Sequence, residues 1–483
     1  MKKILLTVLN VLIVFFISAQ NEFDALRFSK IYYYGTARAM SLANAFTALG
    51  ADPGAVIYNP ASIALMRKSD YSITPGFKIA QATSTFNSTT KKDLKYQFTV
   101  NNFSLVFVSK NNMGAIKNFN FGIIFNRILD FNQRLWIEGV NDKGSMLDDF
   151  MYNADGFYPD ELNPFNTYLA YDTYLIDILD TASLTYTNPL WIVGGPYYGE
   201  TQRKIVRKSG SGSSLDFVIG LNFSDFVYFG MSVASISMEY ADISEYSEFY
   251  FNQAVDLESF KFNENLKNDA SGYAVKLGMI FTPIKSIRLG FSLQTPYFLK
   301  VDDIYSSSIE SHWYTPDIDG NTSYSSTSSL NTYRYNLTSP WRISAGIGFI
   351  LGKFLAFGVD YEKVDYSTIR MDANDYNFAY ENTNIQNNFK STENIRFGMD
   401  LNLSGFHFRG GVARYGAAFE RESALNVFSG GVGYRASNFY MDIAVQQSFS
   451  SEIYWLYVPY EDEPMPTITY KNLMFAITIG MRL

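Results

Sequence analysis

Apolar and polar residues alternate with a period of two along many short segments of this chain. Every second residue from Ile395 to Leu403 is apolar, and the residues between them are Arg, Gly, Asp and Asn. This period places successive side chains on opposite faces of a β-strand. The same pattern recurs at 287–294, 341–349 and 473–482. The sequence therefore predicts an all-β protein whose strands each have one apolar and one polar face.

The connections between strands separate two architectures, a soluble β-sandwich and a transmembrane β-barrel. A membrane barrel has short turns on its periplasmic side and long loops outside. Short joints occur at 224–225, 283–286, 352–353, 404–405 and 435–438. They alternate with long connections at 237–271, 296–340, 362–394, 414–427 and 448–471. This rhythm favours an antiparallel transmembrane barrel whose short turns face the periplasm.

The number of strands follows from the same pattern. Eleven strands run from Leu215 to the C-terminus, and segments near 71–86, 94–110 and 118–126 bring the number to about fourteen. An even number is typical of single-chain bacterial barrels. The apolar phase slips by one residue at Asn101–Asn102, which predicts either a β-bulge or a hairpin tip.

Residues 127–214 predict a large extracellular insertion, because loops beyond about 15 residues usually carry structure or function. The segment is rich in Tyr, Phe, Leu and Asp. Two interpretations remain open. The loop packs on its own aromatic residues, or it forms a surface groove for a hydrophobic ligand.

The first nineteen residues have the pattern of a cleaved secretory signal. Two lysines precede an apolar stretch from Ile4 to Ile17, and small residues at Ser18–Ala19 predict cleavage after Ala19. Loss of the two lysines changes the formal net charge from −8 to −10. A nucleic-acid partner is disfavoured, since it requires a basic face. We expect export to the bacterial outer membrane.

Residues with catalytic or metal-binding chemistry are scarce. The chain has no cysteine and only two histidines, His312 and His407, and neither lies beside a nucleophile motif. The acidic pairs in loops, such as Asp302–Asp303 and 461–463, lack the spacing of a calcium-binding loop. We therefore expect no enzyme activity, no catalytic residue, no metal site and no cofactor.

The segment 20–68 departs from the strand pattern. Ala37 to Leu49 is rich in alanine and spaced for one face of a short helix, which Gly50 would end. Turns are predicted at 52–54 and 58–61. A small helical segment ahead of a barrel, 69–483, fits inside the lumen as a plug, or hatch.

The hatch segment closely resembles the N-terminal hatch of the FadL/TodX family of outer-membrane transporters for hydrophobic compounds. The matching stretches are 35–40, 45–50 and the Asn-Pro-Ala turn within 58–62, with further similarity at 272–278, 288–296 and 339–342. The resemblance implies a monomeric barrel of fourteen strands that captures fatty acids or aromatic hydrocarbons and releases them through a gap in its wall. It also implies a gating role for Asn59, Pro60 and Ala61. Gly50 and Gly54 would supply the freedom to pivot.

Basic residues on the polar face point into the predicted lumen. Those that could pair with a ligand carboxylate are Lys276, Arg288, Arg342 and Arg396. The alternative is that lumenal cations, including Arg409 and Arg482, pair with lumenal acids. Those acids are Asp360, Glu362, Asp400 and Asp442.

Three functions fit a plugged barrel. The first is uptake of hydrophobic small molecules through a channel gated by the hatch, with that ligand and outer-membrane lipid as its partners. The second is a barrel that serves as a shuttle or partner in a protein secretion system, since barrels of that kind share the hatch turn. The third is a general porin, which would need an open lumen.

Overall fold

Fourteen antiparallel strands form a closed barrel. The computed structural model describes residues 22–483 except 33, 111–113, 192–194, 253 and 459–462. The barrel closes because its first strand, Asp70–Phe86, pairs with its last, Thr467–Arg482. The prediction of an antiparallel barrel of about fourteen strands with an N-terminal plug is confirmed. The predicted signal peptide, 1–19, lies outside the described residues.

The strands follow one another around the wall in chain order. The first seven are β1 (Asp70–Phe86), β2 (Thr89–Lys110), β3 (Ile116–Asp130 and Gln133–Asn141), β4 (Glu200–Phe223), β5 (Val227–Phe249), β6 (Leu257–Ile284) and β7 (Ile287–Gln294 and Phe298–Trp313). The second seven are β8 (Ser323–Thr327, Asn331–Thr338 and Arg342–Leu351), β9 (Leu355–Asp365 and Arg370–Asp372), β10 (Ser391–Leu403), β11 (Phe406–Tyr415), β12 (Leu425–Arg435), β13 (Phe439–Ile453) and β14 (Thr467–Arg482).

Helices occupy the hatch and the extracellular connections. They are α1 (Glu22–Ser29), α2 (Ala37–Ser41), α3 (Met146–Ala154), α4 (Thr167–Asp172) and α5 (Ala379–Asn388). Short 3-10 helices lie at Pro53–Ile57, Pro60–Leu65, Pro159–Glu161 and Tyr366–Thr368. A two-stranded ribbon outside the barrel joins Asp177–Asp180 to Thr185–Thr187. No helix in the described part of the chain is long and apolar enough to cross a membrane.

The alternation of side chains has the predicted orientation. In β10 the apolar Ile395, Phe397 and Met399 are exposed on the outer face, whereas Arg396 and Asp400 are buried inside. The five short joints between strands lie where the sequence predicts them. The outward apolar surface is the face that a membrane barrel presents to lipid.

Most of the predicted long connections are wrong, because strands occupy them. The connection expected at 237–271 is reduced to 250–256, since β5 extends to Phe249 and β6 begins at Leu257. Backbone pairing continues there, as between Ser247 and Lys261. Serine, acidic and basic residues alternate in this part of the wall, so the apolar signal of a membrane strand is missing. The predicted insertion shrinks for the same reason, from 127–214 to 142–199.

The helix predicted from Ala37 to Leu49 ends at Ser41. Ala43 and Asn44 have φ values of 47° and 64°, which no α-helix accommodates. The alanine-rich sequence after Ser41 instead packs as a series of turns against the barrel wall, where Leu42 and Phe46 are fully buried. The alanines after Ser41 are therefore explained by close packing against the wall and not by their helix propensity.

A belt of glycines receives the hatch. On nine successive strands, β4 to β12, a Cβ added to one inward glycine would come within 3.0 Å of a hatch atom. The nine positions are Gly220, Gly230, Gly278, Gly290, Gly346, Gly358, Gly398, Gly411 and Gly431. Several are direct cross-strand partners, such as Gly220 with Gly230 and Gly230 with Gly278. The wall therefore has no side chains at these nine positions, where the hatch lies against it.

Substitution within this glycine belt tests the fit. We expect Gly278→Val to displace the hatch, because its side chain would overlap Asn59 and Pro60. Overpacking of this kind costs about 1–3 kcal/mol. Proteolysis of the purified barrel should then remove the N-terminal segment faster. Gly410→Val is the matched control, since a Cβ there meets only the Ser429 carbonyl at 3.9 Å. Equal protease resistance of the two variants would contradict the fit.

Candidate functional site

The Asn59 side chain fastens the hatch to the wall. Its Oδ1 accepts a hydrogen bond from Ala61 N at 3.0 Å and so caps the 3-10 helix that begins at Pro60. Its Nδ2 donates to the carbonyl of Thr47 at 2.7 Å within the hatch. The same amide lies 3.2 Å from the carbonyl of Met279 in β6. Asn59 therefore joins two hatch turns to the barrel, and it is fully buried.

The two predicted pivot glycines are required for different reasons. Gly50 has a φ of +57°, a conformation that glycine adopts without strain. Gly54 is instead required by close approach, since a Cβ there would lie 2.6 Å from the backbone nitrogen of Thr36. Asp52 accepts from Gly54 N at 2.9 Å and from the Thr36 hydroxyl at 2.7 Å. A gating role for Asn59, Pro60, Ala61, Gly50 and Gly54 stays a prediction.

Ion pairs line the lumen around the hatch, and all of their side chains are buried except that of Arg482, which is half-buried. The pairs are Lys276–Asp216 (2.8 Å), Arg342–Glu362 (3.3 Å), Arg396–Glu362 (3.5 Å), Arg409–Asp400 (3.0 Å), Arg409–Asp442 (2.7 Å) and Arg482–Asp70 (2.9 Å). A buried charge is strongly destabilising unless it is paired. The predicted pairing of lumenal cations with lumenal acids is confirmed for Arg342, Arg396 and Arg409.

The hatch shares this charge network. Asp360 accepts from the backbone nitrogen of Thr47 at 2.8 Å, and the Arg288 guanidinium donates to the carbonyl of Leu49. Arg38 of the hatch lies 3.7 Å from Asp400 of the wall. The side chains of all four predicted ligand contacts thus have partners within the barrel and its hatch. These four are Lys276, Arg288, Arg342 and Arg396. A contact with a ligand stays a prediction for them.

A cavity of about 280 Å³ lies in the lumen. The residues between α1 and α2 form part of its lining through Lys30, Tyr32 and Tyr34. Tyrosine, serine and amide side chains make up half of the remaining lining residues. They are Tyr415, Ser423, Gln446, Ser448, Ser450, Ser451, Tyr470 and Asn472. Leu425, Val427 and Met474 add apolar contacts. The cavity is therefore bounded by aromatic rings and hydrogen-bonding groups together.

Two buried or half-buried ion pairs border this cavity. Lys78 donates to Asp130 at 2.8 Å, and Lys30 pairs with Glu422. None of the four predicted ligand cations lines the cavity in the described part of the chain. The sequence analysis missed Lys30 and Lys78. The phase of β1 could have found Lys78, since its even-numbered residues point inward, but Lys30 follows α1 in a segment with no period.

The backbone ladder of the wall is interrupted beside the cavity. The ladder between β2 and β3 runs from Lys110–Asn118 to Asn102–Asn126 and ends there. Beyond it β2 pairs only with β1, and β3 only with β4. Asn101 is the extra residue of a β-bulge at this point, opposite the step from Thr74 to Pro75. Among the described residues this seam has no backbone hydrogen bond between β2 and β3. On the β3 side, Tyr32 N and Tyr34 N of the N-terminal segment donate to the carbonyls of Ile128 (3.0 Å) and Arg127 (3.3 Å). The Lys78–Asp130 pair lies at the seam.

The extracellular insertion 142–199 forms a cap over one side of the barrel mouth. Its described apolar side chains are buried together with residues of β1, of β3 to β7 and of β14, and with Leu456 before β14. The cap contributes Leu147, Phe150, Leu169, Leu175 and Ile176, and the strands contribute Ile137, Val206, Tyr246, Leu257, Phe260 and Ile309. Tyr158, Tyr168 and Tyr174 remain exposed. The buried set thus packs on the barrel strands as well as on the insertion's own side chains, and a surface groove for a ligand stays a prediction.

Two buried glutamates lie beneath the cap. Glu248 accepts hydrogen bonds from the Ser145 hydroxyl at 2.5 Å and from Met146 N at 2.8 Å. Gln202 Nε2 donates to Glu200 at 3.0 Å and to Glu248 at 3.3 Å. Burial, reinforced by the neighbouring Glu248, raises the pKa of Glu200 to about 9. Burial also raises the pKa of Glu248.

Metal-binding geometry is absent from the described residues. No group of three or more His, Cys, Asp and Glu side chains is arranged there to hold an ion. His407 instead contacts Asp400 through Nδ1 at 2.7 Å. Of the acidic run 461–463, only residue 463 is described; the other two lie outside the described residues.

Comparison with known proteins identifies the fold. No protein-family model matches the sequence, and no curated protein is significantly similar to it. A solved FadL homologue from Pseudomonas aeruginosa superposes with a TM-score of 0.56 at 12% identity, over 93% of this chain and 99% of that one. The chain has the FadL/TodX fold. The P. putida toluene transporter TodX superposes with a TM-score of 0.51 at 10% identity, over 94% of this chain and 99% of that one.

This barrel matches those structures over nearly its whole length, although few residues are identical. Sequence identity near 10% conserves the fold alone, so the chemistry of each site must come from this chain's own residues. The side chains that characterise it are the hatch anchor Asn59, the seam pair Lys78–Asp130 and the cavity pair Lys30–Glu422.

Removing the Asn59 side chain tests the anchor. We expect Asn59→Ala to free the hatch, because the variant leaves Ala61 N and the Thr47 carbonyl unsatisfied. An unsatisfied buried polar group costs about 1–3 kcal/mol. The readout is single-channel conductance in a planar bilayer, which should rise as the plug loosens. Ser213→Ala, on the outer face of β4, is the control. Unchanged conductance with unchanged hydrogen exchange in 41–65 would contradict the anchoring role.

The buried glutamates predict a pH-dependent cap. The folded protein holds a proton on Glu200 that the unfolded chain releases above its ordinary pKa near 4.5. The stabilisation is therefore complete below that value and is lost as pH rises towards about 9. Proteolysis of 142–199 should be faster at high pH, and Glu200→Gln should remove most of that dependence. Glu258→Gln, at an exposed position, is the control, and a flat wild-type pH profile would refute the assignment.

Proposed function

We propose that the chain is an outer-membrane channel for the uptake of small hydrophobic molecules. The ligand enters from outside, occupies the lumenal cavity and leaves sideways through the seam between β2 and β3. One observation carries the proposal: the cavity and the seam share the Lys78–Asp130 pair. A bound molecule therefore lies next to the gap in the wall.

Sideways release follows from where the hatch lies. The nine belt glycines bring the wall into contact with the hatch, which lies across the lumen below the cavity. A hydrophobic solute also gains nothing from an aqueous exit, because apolar surface is disfavoured in water. The membrane interior is the favourable destination. In this proposal the chain acts as a monomer, its outward face contacts outer-membrane lipid, and it carries out no catalysis.

The cavity favours small ligands with a polar group. Its volume of about 280 Å³ lies at the lower limit of ligand sites, which span about 300–1,000 Å³. Tyrosine rings offer apolar contact, whereas the serine and amide groups require hydrogen-bond partners. A phenol fits this lining better than a long fatty acid. The TodX structure is described as that of a toluene transporter, which also points to small aromatic molecules.

Closing the seam with a cross-link tests this route. The side chains of Gln97 on β2 and Asn132 beyond the first part of β3 are in contact across it. The chain has no cysteine, so Gln97→Cys with Asn132→Cys can be joined by a short thiol cross-linker without background. We expect uptake of radiolabelled p-cresol by cells expressing the barrel to fall to background. A reductant that cleaves the linker should restore it.

The control places the same link where the wall is already closed. Ser109→Cys with Phe119→Cys joins directly paired residues of β2 and β3, and uptake should be unaffected. Uptake that persists with the seam linked would overturn the route. If a stably bound protein also co-purified, the secretion-partner alternative would replace the channel. Flux of small sugars in liposome swelling would instead indicate a porin.

A further inference from the structure

A second pocket lies at the outer end of the barrel, away from the cap. It has a volume of about 410 Å³ and is formed by α1, the β9–β10 connection and the segments after β11 and β13. Aromatic side chains line it through Phe23, Phe419 and Trp455. No described residue of the cap lines this pocket, so the cap leaves it uncovered, although Leu456, next to Trp455, packs in the cap cluster.

Arg421 is the distinctive residue of the pocket. Its guanidinium lies 3.5 Å from the centroid of the Trp455 ring, 5.4 Å from Phe23 and 5.8 Å from Phe419. It forms no ion pair with any described residue; Glu22 and Glu452 act on it only at longer range. Lys390, in the same pocket, is instead paired with Glu420 at 3.0 Å. Arg421 thus keeps its hydrogen-bond donors available beside an apolar surface.

The pocket and the lumenal cavity share one thin partition. Arg421 lines the outer pocket, and the next residue, Glu422, lines the cavity and pairs with Lys30. The partition is fixed to the end of β13, since Ile453 N donates to the Arg421 carbonyl at 2.8 Å. Both Phe23 and Lys30 belong to the same short N-terminal stretch. Opening the Lys30–Glu422 contact would therefore connect the two spaces.

We propose that this pocket is an external binding site for small aromatic carboxylates. The carboxylate pairs with the Arg421 guanidinium, whose planar donors suit that geometry. The aromatic body packs against Trp455 and Phe419. From there the ligand passes the Lys30–Glu422 contact into the cavity. This second step rests on the proposed channel function, whereas binding at Arg421 does not.

The test uses a charged probe and a neutral probe of the same shape. Hydrocinnamate and hydrocinnamyl alcohol are titrated by calorimetry into the full chain in lipid nanodiscs. We expect the anion to bind more tightly than the alcohol. Arg421→Gln should weaken anion binding about tenfold, the loss expected for a charge-assisted hydrogen bond, and leave alcohol binding unchanged. Trp455→Ala should weaken both probes.

Lys390→Gln is the matched control, because it removes a cation from the same pocket and should leave anion affinity unchanged. Equal binding of hydrocinnamate to wild type and Arg421→Gln would overturn the site, as would an equal loss in Lys390→Gln. Folding of each variant is checked by its heat-dependent mobility in gels. The seam-linked barrel should still bind hydrocinnamate. Binding there with persistent uptake of p-cresol would reject the release route and keep the Arg421 site.

Discussion

The close fit between the hatch and a wall reduced to glycine is the constraint on which the rest of the structure depends. Each of nine strands has a glycine at the inward position that faces the hatch. The turns from Ser41 to Ala64 can therefore lie against the strand backbone. Interiors packed this closely do not deform continuously. The hatch consequently separates two open spaces. One is the lumenal cavity above it, next to the seam between β2 and β3, and the other is a cavity of about 360 Å³ at the short-turn end, lined by Arg38, His407 and Arg435 among others.

Charge pairing follows from the same packing. A hatch seated against the wall buries lumenal arginines, and each needs an acid or a carbonyl partner, as Arg396 has in Glu362 and Arg288 has in Leu49. These groups hold the plug. The cations that border the lumenal cavity are different ones, Lys30 and Lys78, and Arg421 lines the outer pocket. The four cations that the sequence predicts as ligand contacts therefore line neither space in the described part of the chain.

The sequence predicts the membrane-embedded half of the barrel well and the rest poorly, for physical reasons. Strands such as β10 contact lipid on one face and the lumen on the other, so their alternation is strong. The upper part of β5 meets water outside and loses that signal, although its backbone still pairs. The shift in the alternation at Asn101 is visible in the sequence of β2. The point at which the β2–β3 ladder ends is not, because it depends on how two strands pair. Lys30 and Arg421 follow no period at all.

The position of a bound ligand tests the central claim most directly. A crystal of the barrel soaked with p-bromophenol, measured at the bromine absorption edge, locates the halogen independently of the protein phases. The account predicts an anomalous peak in the lumenal cavity between Tyr34 and the Lys78–Asp130 pair, with a second, weaker peak in the seam. Bromine found only on the outer, lipid-facing surface, or below the hatch, would contradict it.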